Sequence, residues 1–127
     1  MTDIYIERTA TSPEVDFNFS THKLSLTGEA YPENAYEFFQ PILEGLEKYL
    51  HATQDENIEF NFYLTYFNSA ATKMLYTMFE ILNDASIKGN QVMLNWYHDE
   101  EDDTSLEFGE GIQQDYTALA FTAISIA

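Results

Sequence analysis

The chain has 127 residues, enough for one hydrophobic core, and its 45% apolar and 16% aromatic content excludes a disordered chain. Five basic residues against 22 acidic ones give a net charge of −17, a surface that repels nucleic acid and anionic membranes and favours either solubility or a basic protein partner. The absence of cysteine removes disulfides, thiol nucleophiles and thiolate metal sites; with no long apolar run and no basic-then-apolar leader, a cytoplasmic location is expected.

Ile4 and Ile6 flank Tyr5 in a short first strand. Val15, Phe17 and Phe19 then alternate with Asp16 and Asn18, and Leu24 and Leu26 alternate with Ser25 and Thr27. This is the period-two pattern of half-buried strands. Ser20, Thr21 and His22 supply a hairpin turn, and Gly28 is expected to end this antiparallel unit. In "GEAYPEN", Pro32 suits the first turn of a helix, and Glu33 places negative charge at its positive end. Tyr36, Phe39, Leu43, Leu46 and Leu50 recur at helical spacing, and Pro41 predicts a kink or two abutting segments.

Ile58, Phe60, Phe62, Leu64 and Tyr66 form the longest alternation, read as a central strand. A second helix is expected over 69–88, with Met74, Leu75, Met78, Phe79, Leu82 and Ala85 as its apolar stripe and Gly89–Asn90 as its stop. Val92, Leu94 and Trp96 give another strand. A charged loop, a short third helix and the terminal strand "ALAFTAISIA" complete the chain. Phe38, Phe39, Tyr66 and Phe67 are expected in or near the core. No repeat or linker divides the sequence, so residues 1–127 are expected to form a single domain. Strands alternating with helices predict an α/β fold. Its sheet is mixed and mainly parallel, with an N-terminal antiparallel hairpin and three helices packed on the sheet.

Two places could carry function. At "YFNSAATK", a strand passes into a helix through Asn68 and Ser69. Asn and Ser are ordinary helix caps. A phosphate at the same place would face free helix N–H groups and the positive end of the dipole, with Lys73 one turn on to pair with it. The second place is His98, Asp99, Glu100, Glu101, Asp102 and Asp103, an acidic tract that could hold a divalent cation loosely. It lacks the spacing of a calcium loop and reads mainly as a solvated loop. His22, His51 and His98 show no zinc-protease spacing, and no phosphate-binding glycine loop or nucleophile elbow occurs. No catalytic residue, metal or cofactor is therefore assigned; a metal-dependent enzyme built on residues 98–103 is the weakest reading.

Over "GEAYPENAYEFFQPILEGLEKYL", "YFNSAATKMLYTMFEIL", "MLNWYHDEEDD" and "LEFGEGI" the sequence resembles the SiaC-like bacterial regulatory phosphoproteins. The most specific part is Gly28, Tyr31, Pro32, Glu33 and Asn34, followed by the junction Tyr66, Phe67, Asn68 and Ser69. The resemblance implies a STAS-like fold. It also implies a non-enzymatic partner switch in which a kinase phosphorylates the junction and a PP2C-type phosphatase reverses it. The unphosphorylated form would bind a diguanylate cyclase of the GGDEF type and promote cyclic-di-GMP synthesis, which governs biofilm formation. Ser69 matches the acceptor and Thr72 is second choice, with Asn68, Ala70, Thr72, Lys73 and Tyr76 as the switch loop and partner surface. Asn68 stands where STAS domains carry Asp. The alternative is a STAS-like antagonist of an anti-sigma factor. Self-association stays open.

Overall fold

The structure, a computed structural model, describes residues 2–127. Strands β1 (Ile4–Ile6), β2 (Glu14–Asn18) and β3 (Lys23–Ala30) are followed by helix α1 (Ala35–His51), β4 (Asn57–Phe67), α2 (Ser69–Ile87), β5 (Gln91–Asp99), α3 (Asp103–Asp115) and β6 (Ala120–Ile126). A 3-10 turn over Phe19–Thr21, closed by His22 in the left-handed region at φ 58°, joins β2 to β3. The six strands form one sheet in the order of the chain. β1, β2 and β3 pair antiparallel; β3 through β6 pair parallel. The α/β class and the mixed sheet with its N-terminal hairpin are as the periodicity predicts.

Each parallel strand lies one place beyond the last, so right-handed crossovers carry all three helices over the same face. The burial pattern agrees. Val15, Phe17, Leu24, Leu26, Phe60, Phe62, Leu94 and Trp96 are buried under the helices. Their sequence neighbours Ser25, Asn61, Tyr63, Asn95 and Tyr97 are half-exposed on the other face. There Asn95 donates to Asn61 at 2.8 Å, and Tyr63 stacks on Tyr97 at 4.0 Å. The neighbouring Tyr97 hydroxyl and burial push the Tyr63 phenol up to about 12. On the helix side, Trp96 Nε1 donates to the Ser105 carbonyl at 3.0 Å, and a Cβ at Gly109 would stand 2.7 Å from its ring. This is how α3, with few buried side chains, seats against β5.

Four local expectations give way. Gly28 does not end the N-terminal unit: β3 runs on to Ala30, and Gly28 sits inside it at φ 123°, where the pairing with β4 shifts register. Such a bulge needs a residue without Cβ, and a Cβ there would also lie 2.8 Å from Arg8 Nε. Pro32 does not open the helix. Asn34 is the N-cap, its side chain accepting from the Glu37 N–H at 3.0 Å, so Pro32 and Glu33 lie ahead of α1. Of the two outcomes expected at Pro41, two abutting segments is not the one taken: α1 runs unbroken through it. The carbonyl it deprives belongs to Glu37, on the exposed side where water can serve it. Tyr36 and Tyr66 are not core: they are 62% and 52% exposed. Tyr36 precedes the stripe that turns inward at Phe39, and Tyr66 lies beyond the last residue that β4 shares with β5.

Candidate functional site

β4 pairs with β5 only from Asn57 to Phe62, and beyond that point it is held by β3 alone. The carboxyl ends of β3 and β4 thus project together, with Ala30 opposite Phe67. The two specific sequence motifs, some thirty residues apart, become neighbours here. Tyr31 meets Tyr66 edge to face at 5.6 Å, and the Asn68 N–H donates to the Ala30 carbonyl at 3.2 Å. Helices α1 and α2 both start from this end of the sheet, each behind an asparagine cap.

Asn68 organises the junction through both its side chain and its backbone. Its side-chain oxygen accepts from the Ala71 N–H at 2.9 Å. Its carbonyl accepts from both the N–H and the hydroxyl of Thr72, each at 2.9 Å. Ser69, the first helical residue, is exposed and makes no side-chain hydrogen bond among the described residues. The backbone N–H groups of Ser69 and Ala70 are likewise left without a protein acceptor among them. Of the two candidate hydroxyls, then, that of Thr72 is half-buried and occupied and that of Ser69 is free.

The electrostatics single out this helix end. α1 carries Glu37 in its first turn and α3 carries Asp103, whereas α2 has no acid there. In a chain with 22 acidic residues, the first turn of α2 offers no acid of its own to the positive end of its dipole. Lys73 lies one turn along, exposed and without an ion pair among the described residues. An added phosphate would find two free N–H groups, a helix dipole and a lysine within one turn.

Aromatic side chains rim the same end. Tyr31, Tyr36, Tyr66 and Tyr76 are four of the seven large apolar side chains exposed among the described residues. Tyr76, two turns from Ser69, leans on Phe108 at 5.6 Å, and Phe108 packs on Phe67 at 4.9 Å and Trp96 at 5.3 Å. A cleft of about 280 Å³ opens between the splayed end of β4 and α3, lined by Leu64, Tyr66, Phe67, Asp102, Ser105 and Phe108. Tyr36 and Phe108 are the residues that sequence reasoning missed. Tyr36 falls on the helical period of the core stripe, and Phe108 sits in an acidic stretch whose apolar face is too sparse to signal packing. Exposed tyrosines gathered at one end of the sheet are the kind of side chain enriched in protein–protein contact surfaces.

The acidic tract is dispersed. His98 is buried, with Nδ1 3.0 Å from the Asp99 carbonyl. Asp99 accepts from the Glu101 N–H at 2.8 Å, and Asp102 caps α3 through the Ser105 N–H at 3.0 Å. No group of three or more His, Asp or Glu among the described residues converges on a point that could hold a cation. Nor is any helix among them long and apolar enough to cross a membrane.

Comparison with known proteins places this geometry. A sequence model described as SiaC family regulatory phosphoprotein matches residues 6–126. An uncharacterized protein of Pseudomonas aeruginosa (strain UCBPP-PA14) is 29% identical over 115 residues, covering 91% of this chain and 90% of that one. Among solved structures, SiaC of Pseudomonas aeruginosa is 27% identical and superposes with a TM-score of 0.90 over 99% of this chain and all of that one. A chain of the complex of the diguanylate cyclase SiaD with its activator SiaC, from the same organism, is 27% identical. It matches with a TM-score of 0.90 over 98% of this chain and all of that chain. Apo-SiaC is 28% identical, with a TM-score of 0.86 over the full length of both.

Proposed function

The chain belongs to the SiaC family of regulatory phosphoproteins, and from that premise we propose that it is a non-enzymatic partner switch acting on a diguanylate cyclase. The unphosphorylated protein binds the cyclase and promotes cyclic-di-GMP synthesis. A protein kinase phosphorylates Ser69 and ends the interaction; a PP2C-type phosphatase restores it. The structure of SiaC of Pseudomonas aeruginosa bound to the cyclase it activates supports the choice of partner.

The observation that carries the reading is the state of Ser69. Among the described residues it is exposed, its hydroxyl is free, and it opens the one of the three α-helices whose first turn carries no acidic residue. A phosphate would add about −1.5 to −2 charges there. The helix dipole and Lys73 would hold it in place. The exposed tyrosines at this end of the sheet are the surface on which the cyclase would rest. A fixed dianion at the centre of that surface must be desolvated on docking, and an interface built for a neutral serine leaves it unpaired.

Two measurements test this. Phosphopeptide mass spectrometry on protein from its native host, with the phosphatase inhibited, should find phosphate on Ser69. Titration of a diguanylate cyclase from that host with Ser69→Ala should give wild-type affinity and stimulation, and Ser69→Asp should weaken both. Equal affinity of the two variants would remove the electrostatic switch. Capture of an anti-sigma factor in place of the cyclase would favour the antagonist reading.

A further inference from the structure

The sheet comes apart at the middle of its three parallel ladders. β4 and β5 pair as far as Phe62 and Trp96, while β3 stays with β4 to Phe67 and β6 stays with β5 to Asp99. Two residues on in that register, Leu64 would meet His98. Instead the strands have parted, and a cavity of about 360 Å³ lies there with both residues in its wall. Small-molecule sites commonly measure about 300–1,000 Å³.

The walls of this cavity carry opposite charges. On one side is Arg8, whose Nε would stand 2.8 Å from a Cβ at Gly28, so its side chain lies against β3. On the other side are Asp99, the last residue of β5, and Asp102, the cap of α3. Arg8 pairs with neither: the one ion pair among the described residues joins His22 to Glu56. β4 lies between β3 and β5, so the two poles stand over strands roughly 9–10 Å apart. Between the poles are Leu64, Ile126 and the stacked rings of Tyr63 and Tyr97.

His98 adds a polar group that the protein leaves unanswered. Its side chain is more than nine-tenths buried, with 8% exposure. Its Nδ1 lies 3.0 Å from the Asp99 carbonyl, and a carbonyl only accepts, so Nδ1 carries the proton of the neutral ring. Nε2 is then a bare acceptor with no partner among the described residues. Every fully enclosed side-chain nitrogen or oxygen among them has a partner, so Nε2 is open to the cavity that His98 lines.

We propose that this cavity binds a small dipolar molecule, an ω-amino acid with a carboxylate at one end, an ammonium at the other and a short methylene chain between. The carboxylate meets the Arg8 guanidinium, whose paired donors match its geometry. The ammonium meets Asp99 and Asp102 and donates to His98 Nε2. The methylenes lie along Leu64, Ile126 and the two tyrosine rings. The charge pattern opposes simpler occupants. A phosphate or a dicarboxylate would face the two aspartates, and a bare cation would face Arg8; a ligand of one sign leaves one wall unanswered. Poles two strands apart favour charges several bonds apart over the adjacent pair of an α-amino acid.

Calorimetric titration of the full chain with 4-aminobutyrate and 6-aminohexanoate tests the proposal, with glycine, butyrate and butylamine as controls. The expected result is saturable binding of at least one ω-amino acid at millimolar concentration. The controls should bind about tenfold or more weakly, the singly charged ones because each forfeits a charge-assisted contact. Arg8→Gln, at an exposed position, should lower the affinity by about tenfold or more and leave 4-aminobutyrate no better than butylamine. Asp99→Asn, which keeps an oxygen to accept from the Glu101 N–H, should weaken binding to a similar degree. The NMR signals of the His98 and Tyr97 rings should shift on titration. No binding of either ω-amino acid, a singly charged control that binds as tightly, or an affinity that neither substitution lowers would overturn the inference.

Discussion

Helices α1 and α2 begin at the same end of the sheet, behind the same kind of cap, and differ in the charge of their first turns. Asn34 and Asn68 each accept a hydrogen bond from the N–H three residues on, at 3.0 and 2.9 Å. At α1 the next turn supplies Glu37, so the dipole is answered from within the chain. At α2 it supplies Ser69, Ala70 and Ala71, none of them acidic. The two caps do the same structural work. The difference in charge separates a finished helix end from one that can still accept an anion. A cap alone therefore says nothing about regulation.

Substitutions can break this comparison, and the largest effect belongs to binding. Ser69→Asp should weaken association with the cyclase by about tenfold or more, about 1.4 kcal/mol, while Glu37→Gln should leave it unchanged. Calorimetric titration of both variants checks this, and equal losses would show that the α2 terminus is not special. Next come the caps themselves. Asn34→Ala and Asn68→Ala should each destabilise by about 0.5–2 kcal/mol, with the half-buried Asn68 toward the upper end and the exposed Asn34 toward the lower, as measured by urea unfolding. The edge-to-face contact of Tyr31 with Tyr66 ties the two starts together. A double-mutant cycle with alanine at each should return a coupling of about 0.5–1.5 kcal/mol. The smallest effect sharpens the comparison most. Ser69→Asp should raise stability by about 0.3–1 kcal/mol and Glu37→Gln should lower it by a similar amount, both differences shrinking in high salt. A single substitution that stabilises the fold while weakening binding would separate switch from scaffold.

Much of the fold was legible because its signals are local. Alternation over Ile58–Tyr66 is a two-residue pattern, the stripe from Leu75 to Ala85 is a helical one, and both survive in the structure as β4 and α2. Ser69 could also be singled out locally, as a hydroxyl between a strand and a helix. What misled was punctuation. Gly28 and Pro32 read as a stop and a start, but Gly28 is a bulge inside β3 and Asn34 sets the first turn of α1. Glycine marks several backbone geometries, and proline ahead of a stronger side-chain cap loses its place. Tyr66 failed for another reason: its alternation is genuine, but β4 has parted from β5 before reaching it.

The sequence by itself determined the order of strands and helices, the sheet's buried face and the hydroxyl at the head of α2, since each depends on residues a few positions apart. Only the tertiary structure decided that Tyr31 would meet Tyr66, that Thr72 would spend its hydroxyl on the Asn68 carbonyl while Ser69 kept its own, and that Arg8 and Asp99 would line one cavity. Those outcomes turn on which strands lie side by side and where their pairing stops. Pairing between strands joins residues distant in the chain, and no local periodicity encodes its limits.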